Sequence, residues 1–329
     1  MNLNNVLAYE NIKQNKVGKK ARAVATVCVF TIALMFSAMY LLTNLLSIYL
    51  PSSVRSNAVL MYLVEGALYI GYIVIPFGIA CLLLNSINKN TEIFQPKRTA
   101  PKYGALFVIG TIGVGYIINI IVYLLFPNFF EYFTSGGSVS ANSPLEIALF
   151  FITTAVLPAI IEEWAFRGVL LKNLLPYGRG GAIVISALLF GIAHVDPPRI
   201  IFATCIGLLL GLCYEYTGSL LVPIIIHFIN NSIAVVASLV STDSIFMLLL
   251  GLMIFAIISV GIAAIIVYSI TGIKKQRISL AKPDNVGYTL SVGKYVSRMF
   301  LNFAFIPLLL IYSVLLIVLY FPDAFNGVL

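Results

Sequence analysis

Charge is scarce in this chain of 329 residues: 10% are Asp, Glu, Lys or Arg, whereas 60% are hydrophobic. A soluble domain carries about 25% charged residues, so an ordinary water-facing surface is excluded and lipid must be the solvent for most of the chain. The four cysteines, Cys28, Cys81, Cys205 and Cys213, all lie in apolar stretches. With no C-x-x-C pair among them, they build no zinc ribbon and read as small apolar residues. Histidine occurs twice and tryptophan once. Internal repeats and low-complexity tracts are missing as well, which removes solenoid architectures.

What fills the chain is a series of apolar runs. A helix needs about 20 residues to cross about 30 Å of hydrocarbon. Runs of that length occur near 24–50, 58–84, 103–126, 145–171, 219–240, 246–270 and 300–320. The first is much longer than the roughly 7 to 15 residues of a signal-peptide core, so it is expected to be a retained span. Between Gly180 and Tyr214 a further apolar stretch is broken by Asp196-Pro197-Pro198-Arg199. A proline pair cannot continue a helix, so two short helices are expected there. The fold class is therefore all-α, a polytopic membrane bundle of about nine spans.

The net charge of +8 is distributed by side of the membrane. With residue 1 in the cytoplasm and every span reversing the side, the inner segments hold 17 of the 20 Lys and Arg residues, and the outside holds Arg55 and Arg199. That asymmetry obeys the positive-inside rule, with the N-terminus in and the C-terminus out, and argues against nucleic acid as the partner of the basic residues. The chain divides into a basic tail at 1–23, N-terminal spans at 24–143, a core at 144–240, and C-terminal spans at 241–329 with a basic inner segment at 271–299. The stretch 128–143, rich in Ser and Gly, is expected to be an outer loop.

Arg167 is the remaining basic residue, inside a span with Glu162 and Glu163. A charged residue at the centre of a spanning helix costs about 2.5 to 3.5 kcal/mol on insertion scales, so such residues mark function or a compensating partner. Glu163 and Arg167 are four apart in the favourable acid-before-base order, and are expected to pair in support of the first core helix. Glu162, rotated about 100° away, must look elsewhere. His194 and His227 both lie in apolar spans, and Asn231 shares a helix face with His227. At about 1.5 Å per residue, Glu162 lies about 15 Å from the inner end of its helix, His194 about 22, His227 about 14 and Asn231 about 20. These overlapping depths suit one shared site.

Three motifs carry this set in order: Glu162-Glu163-Trp164-Ala165-Phe166-Arg167, Phe190-Gly191-Ile192-Ala193-His194 and His227-Phe228-Ile229-Asn230-Asn231. The region 145–240 resembles the CAAX protease and bacteriocin-processing (CPBP, Abi) family of intramembrane proteases, whose motifs are Glu-Glu-x-x-x-Arg, Phe-x-x-x-His and His-x-x-x-Asn or Asp. Pro158 and Gly168 match as well. The resemblance implies an endopeptidase acting on a membrane-associated peptide or protein, with Glu162 and His194 activating water and His227 and Asn231 holding the oxyanion. Such hydrolysis needs a base for water and donors for the developing oxyanion, and these residue types supply both. Phe190 is expected to orient His194.

Glu162, His194 and His227 would also serve as a zinc set with water in the open position, so a glutamate and a metallo mechanism both remain open. The family's substrates include prenylated CAAX termini and bacterial peptide precursors, and a bacterial cell membrane is the expected setting. Two other functions compete. A proton-coupled transporter could use buried acids and histidines, although paired broken helices are missing. A non-catalytic immunity or regulatory protein of the same fold would not need every motif residue. Outside the motifs, Glu65 reads as a buried polar contact, Glu146 as a first-turn acid after Pro144, and Tyr214-Glu215-Tyr216 as an inner boundary.

Overall fold

The computed structural model describes residues 3–89, 101–126, 143–195, 197–240, 245–272 and 305–320, with Gly293 and Ser297 singly. Most of the expected outer loop at 128–143 and nearly all of the basic segment at 271–299 lie outside the described residues. The helices are α1 (Leu3–Tyr49), the short α2 (Ser52–Arg55), α3 (Ala58–Asn88) and α4 (Pro101–Leu125). They are followed by α5 (Pro144–Tyr177), α6 (Arg179–Ile192), α7 (Pro197–Thr217), α8 (Leu221–Leu239), α9 (Ile245–Gly272) and α10 (Phe305–Tyr320). No strand occurs among the described residues.

Seven helices are long and apolar enough to cross a membrane, and Arg179–Ile192 and Phe305–Val314 are shorter apolar helices. The two helices expected around the proline pair are present, α6 ending at Ile192 and α7 starting at Pro197, but only α6 is short: α7 is one of the seven long helices. Large apolar side chains point outward along these helices, Leu82 at 74% and Phe255 at 69% exposure among them. In water that surface would be untenable; in hydrocarbon it is the solvated face. The protein is an integral multi-pass membrane protein.

Local chemistry sets the ends of the core helices. Ser143 caps α5 by accepting from the Glu146 N–H, and Pro144 stands in the first turn, where its missing N–H is harmless. Glu146 is thus the first-turn acid it was expected to be. Gly178 (φ 148°) and Gly218 (φ 67°) turn the chain between α5 and α6 and between α7 and α8, in backbone that side chains rarely adopt.

The site helices α5, α6, α7 and α8 pack on one another, with α3 laid along α5. A Cβ on Gly191 would collide with Thr204 Oγ1, and one on Gly207 would meet Ala187 Cα at 3.1 Å, so α6 and α7 approach closely only because both residues are glycine. At the far end of α5, Asn88 Nδ2 donates to Asn173 Oδ1 (2.8 Å) and Tyr177 Oη donates to Asn88 Oδ1 (2.6 Å). This buried network fastens α3 to α5. Arg179 pairs with Glu215 at 3.2 Å, tying the start of α6 to the end of α7.

Candidate active site

Helix α5 carries the two glutamates between two π-helical stretches, Ile152–Val156 and Trp164–Leu171. Such stretches disturb the i to i−4 ladder and recur at functional sites. Here one consequence is visible. An α-helical bond to the Thr154 carbonyl would come from the N–H of residue 158, but Pro158 has none. Asn231 Nδ2, from α8, donates to that carbonyl at 3.3 Å. Pro158 thereby gives Asn231 its docking point, while Asn230 Nδ2 donates to Asn231 Oδ1 (3.2 Å) and restrains the other end of the amide.

Glu163 and Arg167 are fully buried and paired, Nη1 to Oε1 at 2.9 Å. Arg167 also donates through Nη2 to the Gly207 carbonyl (3.2 Å), and its guanidinium lies 4.4 Å from the centre of the Phe190 ring. The same Glu163 oxygen bonds His227 Nδ1 at 2.9 Å. Glu163 therefore does more than support its own helix, because it links Arg167 to a histidine of α8.

The histidine hydrogens follow from these partners. A carboxylate beside an arginine only accepts, so His227 Nδ1 carries the hydrogen. In the neutral ring Nε2 is then an acceptor, and it lies 3.9 Å from Glu162 Oε2. His194 Nδ1 meets the Phe190 carbonyl at 2.8 Å and must likewise donate, leaving its Nε2 as an acceptor. His194 stands in the turn after α6, within electrostatic reach of both Glu162 and His227. Phe190 packs edge-on against both rings, at 4.9 Å from His194 and 5.9 Å from His227.

Glu162 itself is divided. Its Oε1 accepts from Tyr69 Oη of α3 at 2.5 Å, whereas the buried Oε2 makes no hydrogen bond among the described residues. Two side chains that sequence reasoning passed over thus belong to the surroundings of the site. Tyr69 had one available signal: Tyr62, Glu65, Tyr69 and Tyr72 recur at helical spacing on one face of an apolar span. Tyr312 of α10 had none. Its hydroxyl donates to the Val195 carbonyl at 2.7 Å, directly after His194, where Val195 holds a left-handed φ of 61°. A β-branched residue in that region is strained and must be held by its surroundings.

Glu65 corrects an expectation. Among the described residues it is exposed on α3 rather than buried, with Gly66 beside it turned inward against Thr153 instead.

For a metal, the donor chemistry and the placement disagree. Histidines whose Nδ1–H is held by a carboxylate or a carbonyl, with Nε2 open, are the pattern of zinc ligands. Among the described residues, however, no three His, Cys, Asp or Glu side chains are placed to share one ion.

Residues 144–233 match the family described as Type II CAAX prenyl endopeptidase Rce1-like. The chain is 26% identical over 176 residues to the membrane-embedded CAAX protease MroQ of Staphylococcus aureus (strain USA300), covering 50% of this chain and 70% of that protein. It is 29% identical over 119 residues to the putative membrane peptidase YdiL of Bacillus subtilis (strain 168), covering 33% of this chain and 48% of that protein. No solved structure matches. The matched segment holds Glu162, Glu163, Arg167, Phe190, His194, His227 and Asn231, and it is this segment of the chain that is similar to the CAAX protease and bacteriocin-processing family of membrane proteins.

Proposed function

We propose that the protein is an intramembrane endopeptidase that hydrolyses a peptide bond of a membrane-associated peptide or protein, with Glu162 as the base. The observation that carries this reading is the buried, unbonded Oε2 of Glu162 facing His227 Nε2 at 3.9 Å. That gap is too long for a direct hydrogen bond and fits a water held about 2.8 Å from each atom. Such a water donates one hydrogen to the carboxylate and one to the imidazole. Glu162 takes its proton as the oxygen attacks the carbonyl carbon. Asn231 Nδ2 has a second hydrogen, beyond the one given to Thr154, to offer the oxyanion. His194, through Nε2, carries the proton from Glu162 to the leaving amine.

This assignment keeps the four residues expected from the motifs but exchanges emphasis between the histidines. His227 can donate to an oxyanion only when doubly protonated, since its Nδ1–H goes to Glu163; as a neutral ring it holds water. The Glu163–His227 pair resembles the acid–histidine half of a triad, in which the acid fixes tautomer and orientation. The substrate is a peptide whose cleavage point is seated in or on the membrane, the class to which CAAX-type and bacterial precursor peptides belong.

The test compares membrane peptidomes of wild-type cells and cells carrying Glu162→Ala. An accumulated, uncleaved precursor is expected, and general-base loss should slow its hydrolysis by roughly 10² to 10⁴. Identical peptidomes would sink the proteolytic reading. Proton-coupled flux that survives Glu162→Gln would favour transport instead. Hydrolysis of that precursor should persist in the presence of a zinc chelator; loss of activity that added zinc restores would replace the metal-free route.

A further inference from the structure

Tyr69 lies outside the family-matched segment 144–233, on a helix that the motifs do not mention. Its hydroxyl nevertheless reaches the carboxylate on which the proposed chemistry depends. We infer that Tyr69 is the positioning residue of the base: by donating to Glu162 Oε1 it fixes the plane of the carboxylate and leaves Oε2 as the oxygen that meets water. The inference rests on the proposed peptidase function for its kinetic consequence, but not for the bond itself.

Three observations support it. A carboxylate turns almost freely about its last torsion, so an unrestrained Glu162 would present Oε2 towards His227 only part of the time. One short bond from a fixed donor removes that freedom. The donor is itself fixed, because α3 is held along α5 on both sides of Tyr69. Three residues before it, a Cβ on Gly66 would meet Thr153 Cγ2 at 3.2 Å, so the glycine permits the close approach. Two turns after it, Phe77 packs on Phe166 at 5.1 Å between ring centres, and Asn88 closes the far end through Asn173 and Tyr177. Finally, a tyrosine hydroxyl buried without a partner is unfavourable, and in hydrocarbon no water relieves it. Tyr69 satisfies that demand at Glu162 rather than at its own helix backbone. The neighbouring Tyr72 ring stands edge-on to Tyr69 at 5.4 Å and limits its rotation.

A misplaced catalytic group costs on the order of 10²-fold in rate for a displacement of about 1 Å, whereas substrate binding elsewhere is untouched. Tyr69→Phe, which deletes only the hydroxyl, should therefore lower kcat by roughly 10 to 100-fold and leave KM within about twofold. The assay uses the precursor identified from Glu162→Ala membranes, prepared as a quenched fluorescent peptide in detergent micelles. Tyr62→Phe, on the same helix face and packed on Phe150, serves as the control and should match wild type. Infrared difference spectra provide a readout independent of turnover: the carboxylate band that Glu162→Gln removes should shift in Tyr69→Phe. A kcat within twofold of wild type overturns the inference, and so does a lowered kcat with the Glu162 band unmoved, since packing alone would then explain the loss. If Glu162→Gln hydrolyses the precursor at the wild-type rate, the peptidase reading fails, and the infrared band alone decides the Tyr69 bond.

Discussion

At the residue scale, Glu163 is the side chain whose importance changed most between sequence and structure. The spacing Glu163 to Arg167 predicts a pair, and the pair forms. The bond from Glu163 Oε1 to His227 Nδ1 was not legible, because it joins residues 64 apart on different helices. Replacing Glu163 with Gln keeps an acceptor for both partners but removes the charge opposite a fully buried Arg167. Breaking a buried ion pair costs about 3 to 5 kcal/mol. An amide can also turn its NH₂ group towards His227 and impose the other tautomer, the change that costs about 10⁴ in kcat when a triad acid is made an amide. We therefore expect Glu163→Gln to lower both the thermal midpoint of the purified protein and its hydrolysis rate, the latter by more than tenfold. A variant with wild-type turnover would show that Glu163 serves Arg167 alone. Asn231→Ala is expected to retain a trace of activity, since loss of one oxyanion donor costs about 10² to 10³. Single-turnover rates on the precursor separate that trace from none.

At the scale of elements, the helices were readable and their irregularities were not. Hydrophobic run length located six of the seven long helices but not α7, which was expected to be short, and the proline pair at 197–198 predicted the division between α6 and α7, because both signals are local and strong. The π-helical stretches in α5 leave no mark in composition; a shift of one residue in hydrogen-bond register is decided by packing. Pro158 was noted as a motif match without a physical reason, and the structure supplies one in the freed Thr154 carbonyl that holds Asn231. Pro158→Ala should then have opposed effects on stability and activity. Alanine is about 3 kcal/mol more favourable than proline inside a helix, and the restored N–H can bond Thr154. Asn231 would lose its docking point. We expect a raised thermal midpoint together with a rate reduced about tenfold, the trade found where a site is built on a weakened element. Raised stability with unchanged activity would show that Asn231 is held by other means.

At the scale of the whole molecule, the family-matched segment does not complete its own site. Helices α5, α6 and α8 and the turn after α6 contribute the seven motif residues, α3 contributes the hydroxyl on Glu162, and α10 contributes the hydroxyl on the carbonyl of Val195. Neither contact could be read from the sequence, since Tyr69 and Glu162 are 93 residues apart and Tyr312 and Val195 are 117 apart, with no pattern to pair them. The second contact gives the C-terminal helix a role. Val195 occupies a left-handed conformation worth about 1 to 3 kcal/mol of strain, and relaxation of that turn would move His194 directly before it. Tyr312→Phe removes the hydroxyl while preserving the ring that packs on Phe36 at 6.1 Å, so α10 should stay docked on α1. We expect the turnover of this variant to fall several-fold with little change in thermal midpoint. Val195→Gly, which holds the same left-handed φ without strain, should leave turnover near wild type and should offset much of the loss in the double variant, because both act on one turn. Full additivity would place the effects of Tyr312 and Val195 on separate parts of the protein, and the C-terminal helix would then be packing and nothing more.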